Sequence, residues 1–162
     1  MIDNIMALNP EIFRAYDIRG RYPEAVNEVA IQVIVESLTA YFKSQQKNKK
    51  NRTIIVVGHD ARLSSLKLYR AAIRGVTAEE FSLRNLKKPR VFRSRSVILH
   101  AAGLITVPML YFLVNDLKAA GGLMITASHN PKQYNGLKVV GKKVAPLGGK
   151  EIELIVTAGI AI

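Results

Sequence analysis

A glycine pair, an apolar run and a polar loop follow one another at residues 121–131, which read GGLMITASHNP, and this stretch decides the fold. The apolar run Leu123–Thr126 is typical of a buried β-strand, and Ser128–Pro131 leaves it as a loop. Binding sites of α/β sheets favour the carboxyl ends of strands, where such a serine would be held rigidly. On its own the pattern is weak, because a Ser-His pair in a loop is usually a solvated turn or a helix cap.

Strand and helix patterns alternate on both sides of this stretch. The predicted strands are Ile12–Tyr16, Thr53–Val57, Val97–Leu99, Leu123–Thr126 and Leu137–Val140. The first predicted helix runs from Pro23 to about Phe42, and the second begins at a cap at Ser64 or Ser65 and has Leu66, Tyr69, Ile73 and Val76 on its inner face. The third runs from Pro108 to Ala120, where Gly121 and Gly122 end it, and the last covers Glu151–Val156. The predicted turns and loops are Asp17–Gly20, Gly103–Thr106 and Tyr134–Gly136. The alternation predicts one domain over residues 1–162, an α/β sheet with helices on both faces.

The charge is strongly basic, with a formal net charge of +12. Two stretches without acids, Lys43–Arg52 and Arg84–Arg95, contribute much of it. Such stretches attract anions, so a binding module that uses Arg84–Arg95 on nucleic acid or an anionic membrane stays open as an alternative function. For Lys43–Arg52 a solvated loop is the favoured interpretation. We expect Arg84–Arg95 to be a mobile surface segment and not a strand, because burying unpaired charges is costly.

One uncharged stretch, Ser96–Asn115, is near the minimum length of a membrane span. Gly103, Thr106 and Pro108 divide it, which favours two short buried elements. The chain has no cysteine, which excludes disulfides and is compatible with a reducing cytosol. Met1–Pro10 lacks the pattern of a signal peptide, and we expect a cytoplasmic protein.

Four segments, in order, resemble the loops of the α-D-phosphohexomutases, and the phosphomannomutase/phosphoglucomutase branch is the nearest. They are Phe13–Gly20, Gly58–Ser65, Gly103–Phe112, and Thr126–Pro131 continued by Tyr134–Gly136 and Lys138. The resemblance implies the family's first domain, a three-layer α/β/α sandwich with a mixed, mostly parallel sheet. It also implies that the later domains are absent from this chain.

The resemblance identifies Ser128 with the family's phosphoserine. That serine gives its phosphoryl group to a hexose phosphate, and the resulting bisphosphate turns around and returns the other one. The implied reaction interconverts hexose 1-phosphate and hexose 6-phosphate of glucose or mannose, with glucose or mannose bisphosphate as activator. A magnesium ion would take Ser128 as one ligand through its phosphate, and a missing domain would hold most of the ion's other ligands.

Other site residues follow from the same resemblance. Lys138 and His129 are implied catalytic residues, the second for proton transfer or orientation. Tyr16, Arg19 and Asn130 are implied to lie on the substrate side, where a guanidinium suits phosphate oxygens. His59 and Asp60 are interpreted as structural, and Arg62 as a surface or turn residue paired with Asp60.

Two departures from the family pattern set limits. Between Thr77 and His100, acids and the basic stretch replace a clean apolar strand, so we expect that strand to be shortened or missing. The family's metal-binding and sugar-discriminating loops lie in later domains, so the isolated chain is expected to be incomplete and inactive. The expected partners are a phosphosugar and the missing domains of the same enzyme, with neither nucleic acid nor membrane.

Overall fold

A computed structural model of the chain describes residues 8–46, 48, 51–77, 90–94 and 96–158. Within them, seven strands form one sheet: β1 Ile18–Arg21, β2 Thr53–His59, β3 Arg90–Arg93, β4 Val97–Leu104, β5 Gly121–Ile125, β6 Tyr134–Gly141 and β7 Pro146–Leu147. The α-helices of the described residues are α1 Glu28–Ser44, α2 Ser65–Thr77, α3 Val107–Asp116 and α4 Gly149–Ala158.

The strands lie in the order β1-β6-β5-β2-β4-β3, with β7 on β6. Among these described strands, β2 runs parallel to β4 and β5, and the other four pairings are antiparallel. The expected mixed sheet is confirmed, but the expectation that it is mostly parallel is wrong. Connections such as the one from β5 to β6 are too short for the crossover that parallel strands need.

Apolar side chains cover both faces of the sheet. One core contains residues of α1, α2 and α4 on Ile55 and Leu123, and a second contains residues of α3 on Val56, Met124 and Val140. Neighbouring residues of a strand point to opposite faces, so β2 and β5 contribute to both cores. The three-layer α/β/α sandwich expected from the sequence is confirmed. Among the helices of the described residues, none combines the length and apolar character needed to cross a membrane.

The glycine pair begins β5, so the prediction that it ends a helix is wrong. The preceding helix ends at Asp116, and Lys118 takes the left-handed conformation with φ of 49°. A Cβ on Gly121 would strike the ring of Phe42, and one on Gly122 would meet Val114 from the opposite face. The glycines are therefore needed for close packing of α1 and α3 on the strand.

The first strand also lies later than predicted. Pro10–Ile12 form a 3₁₀ turn, and the strand is Ile18–Arg21, where a turn was expected. β1 pairs with β6 in a register that places Arg19 opposite Gly136. A side chain on Gly136 would strike the carbonyl of Ile18, so this close pairing depends on that glycine.

Helix boundaries differ from the prediction where capping decides them. The first long helix begins at Glu28 and not at Pro23, because the Asn27 side chain caps it by accepting from the amide of Ala30 at 2.9 Å. In α2, Leu68 is buried, whereas Leu66 of the predicted inner face is 45% exposed.

Strands β4 and β6 are much longer than predicted. β4 extends from Val97 through Leu104, and β6 includes Tyr134–Gly136, which were predicted as a turn. The strand that was expected to be shortened or missing is therefore eight residues long.

The basic segment contains a strand, which contradicts the expected mobile surface segment. Arg90–Arg93 pairs antiparallel with β4, and Phe92 packs against the larger core. An apolar partner for Phe92 together with a full backbone ladder explains why Arg90–Arg93 forms a strand despite its charge. Residues 84–89 and 95 of that prediction lie outside the described residues.

Replacing Phe42 by alanine should lower the free energy of unfolding by about 3–5 kcal/mol, because it empties the space against Gly121 at the centre of the sheet. Phe42 is 2% exposed. Urea unfolding followed by circular dichroism measures the change. The matched control is Phe112→Ala on α3, where the ring is 67% exposed and the expected change is within about 0.5 kcal/mol. Equal losses in the two variants would contradict the packing described here.

Candidate active site

Three loops meet at one edge of the sheet. They are the first loop (13–17) before β1, the second loop (60–64) after β2 and the serine loop (126–133) between β5 and β6. β2 and β5 are parallel neighbours, so their carboxyl ends lie side by side, and the amide of Asp60 donates to the carbonyl of Ile125 at 3.0 Å. β1 adjoins the far side of β6. The topology therefore brings together segments that are more than 100 residues apart.

Ser128 lies exposed in a tight turn of the serine loop. Its φ is 52°, a left-handed conformation that costs energy for a residue with a side chain. The amide of Ser128 donates to Thr126 Oγ1 at 2.9 Å, and the amide of Asn130 donates to the carbonyl of Ala127 at 3.0 Å. These bonds fix the loop backbone while the serine itself stays accessible.

Arg62 holds the serine loop through its carbonyl groups. Its two terminal nitrogens donate to four backbone oxygens, those of Ser128 and Asn130 at 2.7 Å each, of Pro131 at 2.9 Å and of Tyr134 at 3.2 Å. Its Nε lies 3.3 Å from a carboxylate oxygen of Asp60. The sequence interpretation of Arg62 as a surface or turn residue missed this role, although the pairing with Asp60 is present.

Asp60 fixes the second loop in turn. Its Oδ1 accepts from the amide of Arg62 at 3.1 Å and from the hydroxyl of Ser65. The buried side chain of Asn135 on β6 donates to Ser64 Oγ at 2.8 Å and to Ser65 Oγ at 3.0 Å. The start of α2 is therefore tied to the strand that follows the serine loop.

Arg19 connects the first loop to the serine loop. Its Nη1 donates to Asn130 Oδ1 at 2.8 Å, and its Nη2 forms an ion pair with Asp17. Its Nε is buried without a hydrogen-bond partner. Together with Tyr16, Asp17, Asn130 and other residues it lines a pocket of about 320 Å³. A planar cation that lines such a pocket suits an anionic ligand.

A second, larger cleft lies on the other side of Asn130. It has a volume of about 730 Å³ and is lined by the second loop from Asp60 to Leu63 and by Ser128, Asn130, Lys132 and Gln133. Asn130 lines both clefts. The predicted residues Ser128, Arg19 and Tyr16 therefore lie in the two clefts that Asn130, also a predicted residue, lines. Tyr16 is 81% exposed.

Lys138 and His129 are positioned differently. Lys138, an implied catalytic residue, is a half-buried residue of β6 opposite Met124. Because cross-strand partners share a face, its side chain leaves the sheet on the α3 face. His129 is exposed in the serine loop. Neither cleft includes Lys138 or His129 among its lining residues.

Metal ligands are not grouped in this part of the protein. Within the described residues, no three His, Asp or Glu side chains lie close enough together to hold a metal ion. The loop acids Asp17 and Asp60 are each paired with an arginine. The described residues alone therefore do not make a magnesium site of the kind that needs several oxygen ligands.

The protein is an α/β/α domain in which the serine loop joins β5 to β6 and two arginines bind that loop. These features define its class. Residues 10–160 match the family described as phosphoglucomutase/phosphomannomutase, alpha/beta/alpha domain I. The chain belongs to this family, as the resemblance of its loops indicated.

Relatives agree over most of the chain. The phosphohexose mutases protein of Xanthomonas campestris pv. campestris (strain B100) is 38% identical over 135 residues, which are 83% of this chain and 25% of that protein. The phosphomannomutase/phosphoglucomutase of Pseudomonas syringae pv. tomato is 33% identical over 129 residues, which are 80% of this chain and 23% of that protein. The chain thus spans about a quarter of the length of the curated relatives it matches.

The fold agrees with a solved structure as well. A crystal structure of a phosphoglucomutase/phosphomannomutase family protein from Burkholderia thailandensis superposes with a TM-score of 0.70 at 25% identity. The superposition covers 94% of this chain and 31% of the Burkholderia chain.

Tyr69 supports the base of the second loop. Its ring lies 4.7 Å from the ring of His59, and its hydroxyl accepts from the amide of Gly103 at 3.1 Å. Burial raises the pKa of Tyr69 to about 12, and the hydrogen bond from Gly103 offsets part of that rise. The phenol therefore stays protonated in the folded chain at pH values where it ionises in the unfolded chain.

We expect alkaline conditions to destabilise the fold through Tyr69. Its contribution is fully present below about pH 10 and is lost as the pH rises toward 12, because the unfolded state releases the proton first. Over that window the free energy of unfolding should fall by about 1–3 kcal/mol more in the wild type than in Tyr69→Phe. Urea unfolding at several pH values measures this, with Tyr16→Phe at the exposed first loop as the control. Identical slopes for the wild type and Tyr69→Phe would contradict the assignment.

Proposed function

We propose that this chain is the N-terminal catalytic-serine domain of a phosphohexomutase that interconverts hexose 1-phosphate and hexose 6-phosphate of glucose or mannose, in the cytoplasm, with Ser128 as the phosphoryl carrier. The observation that carries the proposal is the exposed Ser128 in a fixed left-handed turn at the end of β5, next to a cationic pocket. Membership of the phosphoglucomutase/phosphomannomutase family supports it.

The proposed chemistry is two phosphoryl transfers. In the first, the bond between phosphorus and Ser128 Oγ breaks, a bond from phosphorus to a sugar hydroxyl oxygen forms, the proton of that hydroxyl passes to a base, and Oγ takes up a proton. In the second, the bond between the other phosphorus of the sugar bisphosphate and its sugar oxygen breaks, that phosphorus bonds to Ser128 Oγ, the serine proton passes to a base, and the released sugar oxygen takes up a proton. Such transfers depend on alignment and on neutralising charge on the phosphoryl oxygens.

Each site residue has a proposed part in this scheme. Arg19 binds the phosphate of the substrate, because a guanidinium that lines this pocket suits an anion. Tyr16 and Asn130 complete that side of the pocket. Lys138 supplies positive charge from the α3 face of the sheet, and His129 moves or orients the proton of the reacting hydroxyl.

Magnesium enters this proposal with ligands from outside the chain. When bound, the ion neutralises charge on the phosphoryl group. The phosphate on Ser128 would be its ligand from this domain, since the described residues offer no cluster of acids. Glucose or mannose bisphosphate is the proposed activator, because it can load Ser128 with phosphate.

We do not propose the alternative function, a binding module for nucleic acid or anionic membrane. Its proposed contact, Arg84–Arg95, contributes four residues to a strand at the sheet edge, and Phe92 packs into the core. Binding of nucleic acid or an anionic membrane through a flexible basic segment is therefore not the function that Arg84–Arg95 suits best.

Ser128 should carry the phosphate when the domain works with its remaining domains. We suggest a chimera in which this chain replaces the matching quarter of the Xanthomonas relative, incubated with magnesium and glucose bisphosphate. Peptide mass spectrometry should place the phosphate on Ser128. Ser128→Ala should lower the mutase rate by more than about 10³-fold, because the nucleophile is gone. Ser44→Ala, at the exposed end of α1, is the matched control and should leave the rate unchanged. Phosphate on another serine, or full activity of Ser128→Ala, would refute the role of Ser128.

The isolated chain should not turn over hexose phosphate. It offers one wall of a site and no acid cluster for the metal in its described residues. Alignment of the sugar needs groups that face the serine loop from across a cleft. The test is a coupled mutase assay of the purified chain with magnesium and a bisphosphate. Turnover above background that disappears in Ser128→Ala would show that this domain suffices.

A further inference from the structure

The serine loop uses both terminal nitrogens of Arg62. An arginine side chain has five N–H groups and no acceptor. In Arg62 the four terminal N–H groups have four acceptors in the carbonyls of Ser128, Asn130, Pro131 and Tyr134, and Nε forms an ion pair with Asp60. No terminal donor of Arg62 is left over for a substrate phosphate.

Arg19 provides the contrast. It contacts the serine loop once, through the side chain of Asn130, and its Nε has no partner. Arg62 binds backbone atoms, whereas Arg19 binds a side chain and keeps an unused donor. The two arginines at the serine loop are therefore equipped for different tasks, the first for holding the loop and the second for holding a ligand.

We propose that Arg62 is the positioning residue of the serine loop: oriented by Asp60, it holds four carbonyls and keeps Ser128 in the left-handed conformation that presents its oxygen for transfer. The functional half of this inference rests on the proposed role of Ser128. The structural half, that Arg62 orders the loop, does not depend on it.

Conformational strain at Ser128 is the reason why a holding group is needed. With φ at 52°, the serine would relax to an extended or helical backbone if its neighbours allowed it. Arg62 binds the carbonyl of Ser128 itself and carbonyls on its C-terminal side, so relaxation would break several charge-assisted bonds together. The Arg62 side chain is 15% exposed, and its bonds to the carbonyls of Asn130 and Tyr134 are partly buried, whereas those to Ser128 and Pro131 are open to solvent.

Lysine cannot replace this arrangement. An ammonium group has three donors and no planar fork, so it can satisfy at most part of the acceptor set. A substitution series through Arg62→Lys and Arg62→Met therefore grades the number of bonds to the loop. Asp60→Asn keeps the arginine but removes the charge that orients it.

The first experiment measures loop order in the isolated chain by amide hydrogen exchange. In Arg62→Met the amides of Asn130 and Tyr134 should exchange at least about tenfold faster, because their bonds within the loop depend on its conformation. Arg62→Lys and Asp60→Asn should give smaller increases. The amides of Leu123 and Val139 in β5 and β6 should keep their wild-type rates. Arg70→Met, at an exposed position of α2, is the matched control and should change none of them.

The second experiment uses the chimera with the Xanthomonas relative. Arg62→Met should lower kcat about 100-fold while KM stays within about threefold, because misplacing a reacting group slows transfer without removing a substrate contact. Arg62→Lys should recover part of the lost kcat. Arg19→Met should instead raise KM.

The outcomes separate the possibilities. Unchanged loop exchange in Arg62→Met overturns the proposal, as does a raised KM with unchanged kcat, which would make Arg62 a substrate ligand. If the amides of Arg62→Met exchange faster throughout the core as well as in the loop, that variant is generally destabilised, and Asp60→Asn and Arg62→Lys become the test. If these two variants also show no larger increase in the loop than in the core, the proposal is overturned. If the wild-type chimera carries no phosphate on Ser128, the proposed function fails, while the exchange data still decide whether Arg62 holds the loop.

Discussion

Two helices pack closely on the start of β5 at Gly121 and Gly122. The Phe42 ring of α1 approaches from one face and Val114 of α3 from the other, and neither contact leaves room for a Cβ. Because the strand is held on both faces at its start, its far end has a fixed position relative to both layers. That far end carries the serine loop, so the location of Ser128 depends on two residues without side chains.

The site depends on backbone atoms more than on side-chain chemistry. Asn130 receives Arg19 on its side chain and Arg62 on its carbonyl, so the first and second loops are joined through one residue of the third. Each arginine is balanced by an aspartate, which limits the net charge that the loops bury. The result is a rigid surface in which Ser128 is exposed and its surroundings are not free to move independently.

The sequence predicted elements whose signal is local. Thr53–Val57 is β-branched and proved to be most of β2, and the serine loop was located by its own residues. The errors occurred where a distant partner decides. Gly121 looks like a helix stop until Phe42 is placed on it, and Phe92 looks solvated until β4 lies beside it. Arg62 was missed because its acceptors are main-chain carbonyls, which every sequence has and which only the fold can bring within reach.

The order of the strands divides the sheet into two parts with different tolerance to change. Arg19, Lys138, Ser128 and Arg62 lie on or directly after β1, β6, β5 and β2, which are consecutive neighbours. The basic strand β3 lies at the opposite edge, with β4 between it and β2. Substitutions or insertions that accumulate at that edge shift no strand that carries a loop of the site. The sequence at the β3 edge of the domain can therefore change during evolution while the loops of the site keep their positions.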